Sequence, residues 1–395
     1  MYSVIIYSYS NFFKYFTMNV LMVLVVFAMS CGSVTPRGNE KGFQRPAIYI
    51  LGDSLVDVGN NNYIDHNTFT KNNFRPYGID FPRGKPWTGR YTNGRTIVDI
   101  VGETFGVKDY IPAYLDPATV GDVVLHGVNY ASGGGGILNE TGMILGNRIN
   151  MDAQLDNFAN TKNYIISKFG ARGSKKFLAK SLFVVVMGSN DFIDNYYIPF
   201  LSIPEQKMLT PAMFIDKLIS RFRLQLTRLY EMGARKVAVA NVGPVGCIPL
   251  ERAINRILNA TEWHAKDDAC ISEMNDAAML FNKKLKSLVM EFNSKFMESK
   301  FLYVDIYGVF TDVIDNYQSY GFENYRDSCC QTLPGPLRGL LACDAKAEVC
   351  ADRSKYVFWD EAHPTDATYY IFAKKLLERD SKYVYPYSIQ QLFYT

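Results

Sequence analysis

The stretch Ala47-Ile48-Tyr49-Ile50-Leu51-Gly52-Asp53-Ser54-Leu55 runs five apolar residues into a short polar turn. An apolar run of that length, closed by a glycine, predicts a strand covered on both faces. Residues 123–130, 182–187, 236–241 and 301–306 carry similar short runs, with Val184-Val185-Val186 apolar throughout. Helical patterns separate them. The segment 212–232 follows Thr210-Pro211, a cap and a first-turn proline, and stops at Gly233. Within it Phe214, Leu218, Phe222, Leu226 and Leu229 recur at three- and four-residue steps, which gives one apolar face. Further helices are expected over about residues 265–299 and 365–379, the last following Pro364. Strand–helix alternation predicts a three-layer α/β/α fold around a central parallel sheet of about five strands. No repeat or low-complexity linker interrupts the pattern, so residues 45–395 are expected to form a single domain. Long loops over about residues 60–95 and 317–355, rich in Asn, Gly, Pro and Cys, are candidates for shaping a binding site.

In a doubly wound sheet ligands collect beyond the carboxyl ends of the strands, where Ser54 falls. A serine hydroxyl is a weak nucleophile and needs a base that is itself held in place. A lone Gly-Asp-Ser is more often a plain turn. The far end of the chain changes that reading. In Asp360-Glu361-Ala362-His363-Pro364 a carboxylate stands three residues ahead of a histidine. It can fold back within one turn to hold Nδ1–H, which leaves Nε2 to accept a proton. His66, His126 and His264 have less obvious partners, and His126, within a strand pattern, is expected in the core. An oxyanion also needs donors. The run Asn129-Tyr130-Ala131-Ser132-Gly133-Gly134-Gly135-Gly136 follows one predicted strand and lets backbone N–H groups approach a ligand. Gly188-Ser189-Asn190-Asp191 follows another and offers the Asn190 amide. The glycine run fits no Gly-x-Gly-x-x-Gly register, so dinucleotide binding is set aside.

The chain has 395 residues, 48% hydrophobic and 21% charged, which is a globular and not a disordered composition. A formal charge of +3 gives no footprint for nucleic acid. Residues 20–29 form an unbroken apolar run preceded by Lys14 and followed by Ser30, Gly32 and Ser33. Ten such residues suit a signal-peptide core and fall short of the roughly twenty a transmembrane helix needs. A signal peptide over residues 1–30, starting at Met1 or Met18, and a short extension over 31–44 are therefore expected. Cys31 lacks a convincing lipobox ahead of it. Asn139-Glu140-Thr141 and Asn259-Ala260-Thr261 are glycosylation sequons, meaningful only for an exported chain. Beyond Cys31 the six cysteines Cys247, Cys270, Cys329, Cys330, Cys343 and Cys350 suggest disulfides. The adjacent Cys329 and Cys330 are expected to bond to different partners. No Cys-x-x-Cys pair and no histidine cluster supports a metal site. The expectation is a protein secreted to the cell exterior or cell wall, monomeric, without cofactor, metal or transmembrane anchor.

Gly52-Asp53-Ser54-Leu55, the Gly133-to-Gly136 loop, Gly188-Ser189-Asn190-Asp191 and Asp360…His363-Pro364 resemble, in order, the four sequence blocks of the GDSL (SGNH) hydrolases. The likeness is greatest to the plant GDSL esterase/lipases. It extends through Arg75-Pro76-Tyr77-Gly78-Ile79-Asp80-Phe81, Thr88-Gly89-Arg90, Asn93-Gly94-Arg95-Thr96 and Gly243-Pro244-Val245-Gly246-Cys247-Ile248-Pro249, and covers about residues 45–380. The resemblance implies a flavodoxin-like SGNH fold and hydrolysis of acyl esters through an acyl-enzyme. It implies Ser54 as nucleophile, His363 as base and Asp360 as its orienter. It also implies an oxyanion hole from the Ser54 N–H, the Gly134 N–H (with Gly136 as the fallback register) and the Asn190 side chain. Val245 stands where relatives often carry leucine, a difference expected to affect packing only. No Gly-x-Ser-x-Gly elbow occurs, which argues against an ordinary α/β-hydrolase. An acyltransferase using the same acyl-enzyme, or a catalytically silent glycan- or lipid-binding relative, are the alternatives. The acyl group is not legible, with fatty acyl, acetylated polysaccharide and phenolic esters all open.

Overall fold

The computed structural model describes residues 45–64, 70–82, 88–198, 202–258 and 269–394. The expected signal peptide and extension, His66, His264 and the Asn259 sequon lie outside them. Five parallel strands form the centre: β1 (Ile48–Gly52), β2 (Gly127–Asn129), β3 (Leu182–Val186), β4 (Lys236–Ala240) and β5 (Lys300–Val304). Their order is β2-β1-β3-β4-β5, and a sixth strand, β6 (Val384–Tyr385), adds antiparallel to β5. The five parallel strands are those expected, and the antiparallel sixth is an addition at the edge. Two residues from the C-terminal tail are too few to show a period in sequence.

Each strand sends alternate side chains to opposite faces. Tyr49, Leu51, Phe183, Val185, Val237, Val239, Phe301 and Tyr303 pack under α2 (Met151–Lys180), α3 (Pro211–Glu231) and α4 (Ser272–Lys295). Ile48, Ile50, Leu182, Val186, Ala238, Ala240 and Val304 face α1 (Ile97–Thr104), α5 (Ile306–Asp315), α6 (Asp366–Leu376) and α7 (Ile389–Tyr394). The predicted cap of α3 is present: Thr210 Oγ1 accepts from the Met213 N–H with Pro211 in the first turn.

Several boundaries differ from expectation for local reasons. The strand expected over 123–130 shrinks to Gly127–Asn129, because Gly121–Leu125 closes a 3-10 turn and Gly127 sits at φ 132°. His126, expected in the core, is exposed at the end of that turn. Residue 306 belongs to α5, not β5, since Asp305 caps the helix by accepting from the Gly308 N–H. The helix expected from about residue 265 is described from Ser272. The thirty-residue α2 was not expected at all. Gly170, at φ 69°, breaks its helical dihedrals, and its apolar positions thin out toward that point.

Candidate active site

Three loops leave the carboxyl ends of β1, β2 and β3 and meet the turn ahead of α6. At the end of β1, Gly52 is pinned by Gln154, which accepts from the Gly52 N–H at 2.8 Å and donates to its carbonyl at 2.7 Å. A Cβ on Gly52 would lie 2.6 Å from the Val186 carbonyl oxygen, so the turn into Ser54 needs a glycine here. Ser54 and His363 are 309 residues apart in sequence, yet Ser54 Oγ lies 2.7 Å from His363 Nε2. His363 Nδ1 lies 2.8 and 2.9 Å from Oδ1 and Oδ2 of Asp360. The backbone N–H groups of Ala362 and His363 donate to Asp360 Oδ1 at 3.0 and 2.7 Å, which is the one-turn fold-back its spacing predicts. The Tyr77 hydroxyl donates to Asp360 Oδ2 at 2.9 Å, so both oxygens of this fully buried carboxylate are occupied.

Burial disfavours a charged His363, but Asp360, with help from Glu361 and Asp53, outweighs it and raises the imidazole above its ordinary 6.5. Burial also pushes the Asp53 carboxyl up to about 7 against the Leu55 N–H that it accepts. Glu361 is raised by burial and by its neighbour Asp360.

In the candidate donor loops most polar groups already have partners. In the glycine run, the Gly133 N–H donates to Asp57 Oδ2, that of Gly135 to the Ser132 carbonyl and that of Gly136 to Asn150 Oδ1. Among the described residues the N–H of Gly134 has no partner, and Gly134 sits at φ 76°. The Ser54 N–H is likewise without one. The Gly136 alternative has its N–H committed elsewhere. The Asn190 amide donates one proton to the Gly135 carbonyl at 2.9 Å and has a second to give. Asn190 shares a cavity wall with Ser54 and His363.

Sequence reasoning missed the residues that hold this arrangement. Asp57 accepts from Gly59, Asn60 and Gly133 N–H groups, tying the turn after Ser54 to the glycine run. Asn61 donates to the Gly133 carbonyl and the Tyr91 hydroxyl, and the Tyr91 ring packs 5.0 Å from that of His363. A Cβ on Gly133 would strike the Tyr91 hydroxyl at 1.8 Å. Asp191 accepts from Ile137 and Leu138 N–H and the Thr141 hydroxyl. Their only signal was a cluster of Asn and Asp in loops. Asn139 is exposed, whereas the Thr141 hydroxyl of the same sequon is buried against Asp191. Val245, expected to matter for packing only, borders the same cavity as Ser54.

Two of the other quoted stretches, residues 88–90 and 93–96, hold α1 and join it to α6. Arg90 makes a buried bidentate pair with Asp99, and Arg95 pairs with Asp366 at the first turn of α6. A Cβ on Gly94 would meet Asp366 Oδ1 at 2.5 Å. Disulfides join Cys247 to Cys270, Cys329 to Cys350 and Cys330 to Cys343, so the adjacent cysteines do take different partners. Among the described residues there is no His/Cys/Asp/Glu group able to hold a metal ion, and no helix is long and apolar enough to cross a membrane.

Residues 48–376 match the GDSL-like lipase/acylhydrolase family. A GDSL esterase/lipase of Arabidopsis thaliana is 50% identical over 351 residues, covering 89% of this chain and 92% of its own. A second from the same plant is 44% identical over 376 residues, covering 94% and 97%, and a third is 42% identical over 357, covering 90% and 89%. With the strand order, the serine after β1 and a match along most of its length, the chain belongs to the GDSL-like lipase/acylhydrolase family, hydrolases of ester bonds.

Proposed function

We propose that this protein is a secreted serine esterase that cleaves carboxylic esters through an acyl-enzyme on Ser54. The observation that carries the reading is the unbroken hydrogen-bonded line from Asp360 through His363 to Ser54 Oγ. Ser54 Oγ attacks the ester carbonyl carbon while its proton passes to His363 Nε2, and Asp360 stabilises the imidazolium. The carbonyl oxygen, now anionic, takes the spare N–H groups of Ser54 and Gly134 and the second amide proton of Asn190. Collapse expels the alcohol, which takes the proton back from His363. Water then repeats the sequence on the acyl-enzyme and releases the acid. Export is supported by the apolar segment at residues 20–29 and by three disulfides, which persist in oxidising compartments.

A fluorophosphonate probe should label the purified protein at Ser54, and p-nitrophenyl acetate should be turned over. In Ser54→Ala labelling should vanish and kcat fall by at least about 10⁴-fold. Folded wild-type protein that takes no label and hydrolyses no ester would overturn the reading.

A further inference from the structure

The two oxygens of Asp360 are held in different ways. Oδ1 takes the backbone N–H groups of Ala362 and His363, whereas the partners of Oδ2 among the described residues are His363 Nδ1, at 2.9 Å, and the Tyr77 hydroxyl, also at 2.9 Å. Tyr77 reaches across 283 residues of sequence to make this bond. It is 2% exposed and Asp360 is fully buried, so bulk water does not compete for either group. The direction of the bond is set by chemistry. A carboxylate can only accept. Burial, Asp360 and Glu361 together push the Tyr77 phenol well above its ordinary 10, so it keeps its proton through pH 10 and donates. The ring is held as well as the hydroxyl. It meets Trp359 edge-on at 6.0 Å and Phe74 at 5.5 Å, and Tyr77 and Trp359 form a small core with Cys329, Cys330 and Cys343, separate from the two that flank the sheet. Asp80, three residues beyond Tyr77, accepts from Arg353 at 2.6 and 2.8 Å, which ties the Tyr77 loop to the segment that carries Asp360.

From this geometry we propose that Tyr77 is a positioning residue that sets the basicity of His363 by sharing the Asp360 anion with it. The proposal rests on the esterase reading and adds the group that tunes its base. A hydrogen bond to a carboxylate draws off part of its charge, so Asp360 with the phenol attached is a weaker acceptor for Nδ1–H than Asp360 without it. The phenol also fixes the rotation of the carboxyl, because no backbone donor holds Oδ2. The charged groups facing His363 are Asp360 and Glu361 on its own turn, Asp53 after β1 and Asp194 after β3. The phenols nearest it are Tyr91, whose ring packs on the imidazole, and Tyr369 of α6, which lines the same cavity, and burial holds both well above 10 and therefore neutral. Of the groups facing His363, only Asp360 is hydrogen-bonded to the Tyr77 hydroxyl. Removing that hydroxyl therefore acts on the base through one carboxylate. In Tyr77→Phe the returned charge favours the imidazolium, which is opposite in sign to the effect of removing the Asp360 anion.

The test is the pH dependence of kcat/KM for p-nitrophenyl acetate in three purified proteins. These are the wild type, Tyr77→Phe, and protein with 3-fluorotyrosine in place of Tyr77, whose more acidic phenol donates more strongly. In Tyr77→Phe the acid limb should move up by about half a pH unit, roughly a threefold gain in proton affinity. In the fluorinated protein it should move down by a smaller step. Shifts of opposite sign are the signature, because a ring that only fills space would leave the limb where it is. A second measurement does not need turnover: the His363 imidazole, titrated by NMR in Ser54→Ala, should shift up in Ser54→Ala/Tyr77→Phe and down in the fluorinated Ser54→Ala protein. Thermal melts check that each protein is folded. Should Tyr77→Phe not fold, the fluorinated protein, which keeps both ring and hydroxyl, decides by itself. Limbs and imidazole titrations that stay in place, or that move any other way, would overturn the role of Tyr77 while leaving the esterase standing. If no ester is hydrolysed, the esterase reading fails, and the NMR titration alone then decides on Tyr77.

Discussion

At the scale of single residues, His363 is held between two opposed effects. Burial favours its neutral form, while the carboxylate of Asp360 favours the cation, and the anion wins. In the proposed mechanism His363 must be neutral to accept the Ser54 proton, so activity should disappear as pH falls through the raised imidazole value. The acid limb of kcat/KM is therefore expected above pH 6.5. Asp360→Asn removes the anion, so on the proposed mechanism the limb should move to lower pH and kcat should fall about 10⁴-fold. A pH–rate profile of both proteins checks this. An acid limb that stays in place would mean that some other group governs it. The glycines illustrate the same scale from the backbone side. Gly133 must be bare to pass the Tyr91 hydroxyl, and Gly134 must reach φ 76°, so side chains at either would displace the glycine loop.

At the scale of elements, the segment 324–361 carries Asp360 on very little regular structure. Its strands are short, Asn324–Ser328 against Tyr356–Phe358 and Cys330–Gln331 against Glu348–Val349. Two disulfides compensate. Cys329–Cys350 and Cys330–Cys343 bracket the segment, the Cys330 N–H donates to the Trp359 carbonyl at 2.7 Å, and the Cys343 N–H reaches Glu361 at 3.3 Å. These bonds end on the residues either side of Asp360. Cys330→Ala/Cys343→Ala opens a loop of 13 residues and should cost about 3 kcal/mol of stability in denaturant titration. On the proposed mechanism it should also lower kcat more than KM, because the turn that carries Asp360 and His363 loses its support. Unchanged kcat in the folded variant would show that the disulfide serves stability alone.

At the scale of the whole molecule, burial acts on several carboxyl groups at once. Burial raises Asp53 and Asp194 to about 7, Asp57 and Asp191 to about 6, and Glu251 to about 8. Unfolded, these groups titrate near 4. Between about pH 4 and pH 8 the folded protein therefore binds more protons than the unfolded chain, and stability must fall as pH rises through that window. The raised His363 acts in the same direction. Asp80 and Glu140, where Arg353 and Lys217 outweigh burial, are lowered and act the other way, but only below about pH 4.5. The unfolding midpoint, measured by calorimetry at pH 5 and pH 8, is expected several degrees higher at pH 5. A midpoint that rises toward pH 8 would mean that these carboxyls are ionised and solvated in the folded protein.

The parallel strands, the α3 helix and the Asp360–His363 fold-back were determined by the sequence itself, because each depends on residues within one or two turns of one another. Valine runs, the Thr210-Pro211 start and a three-residue carboxylate–histidine spacing act locally, and the chain cannot avoid expressing them. Helix α2 and strand β6 were not legible, since tertiary packing carries one through Gly170 and supplies the other's partner, β5. Nor was it legible which glycine N–H groups have partners, since Asp57, Ser132 and Asn150 take those of Gly133, Gly135 and Gly136. Only the folded molecule decides that Ser54 meets His363 across 309 residues, and that the face of β4 beneath them carries alanines. Both follow from long-range closure of the sheet and its helices, a contact pattern that local spacing does not encode.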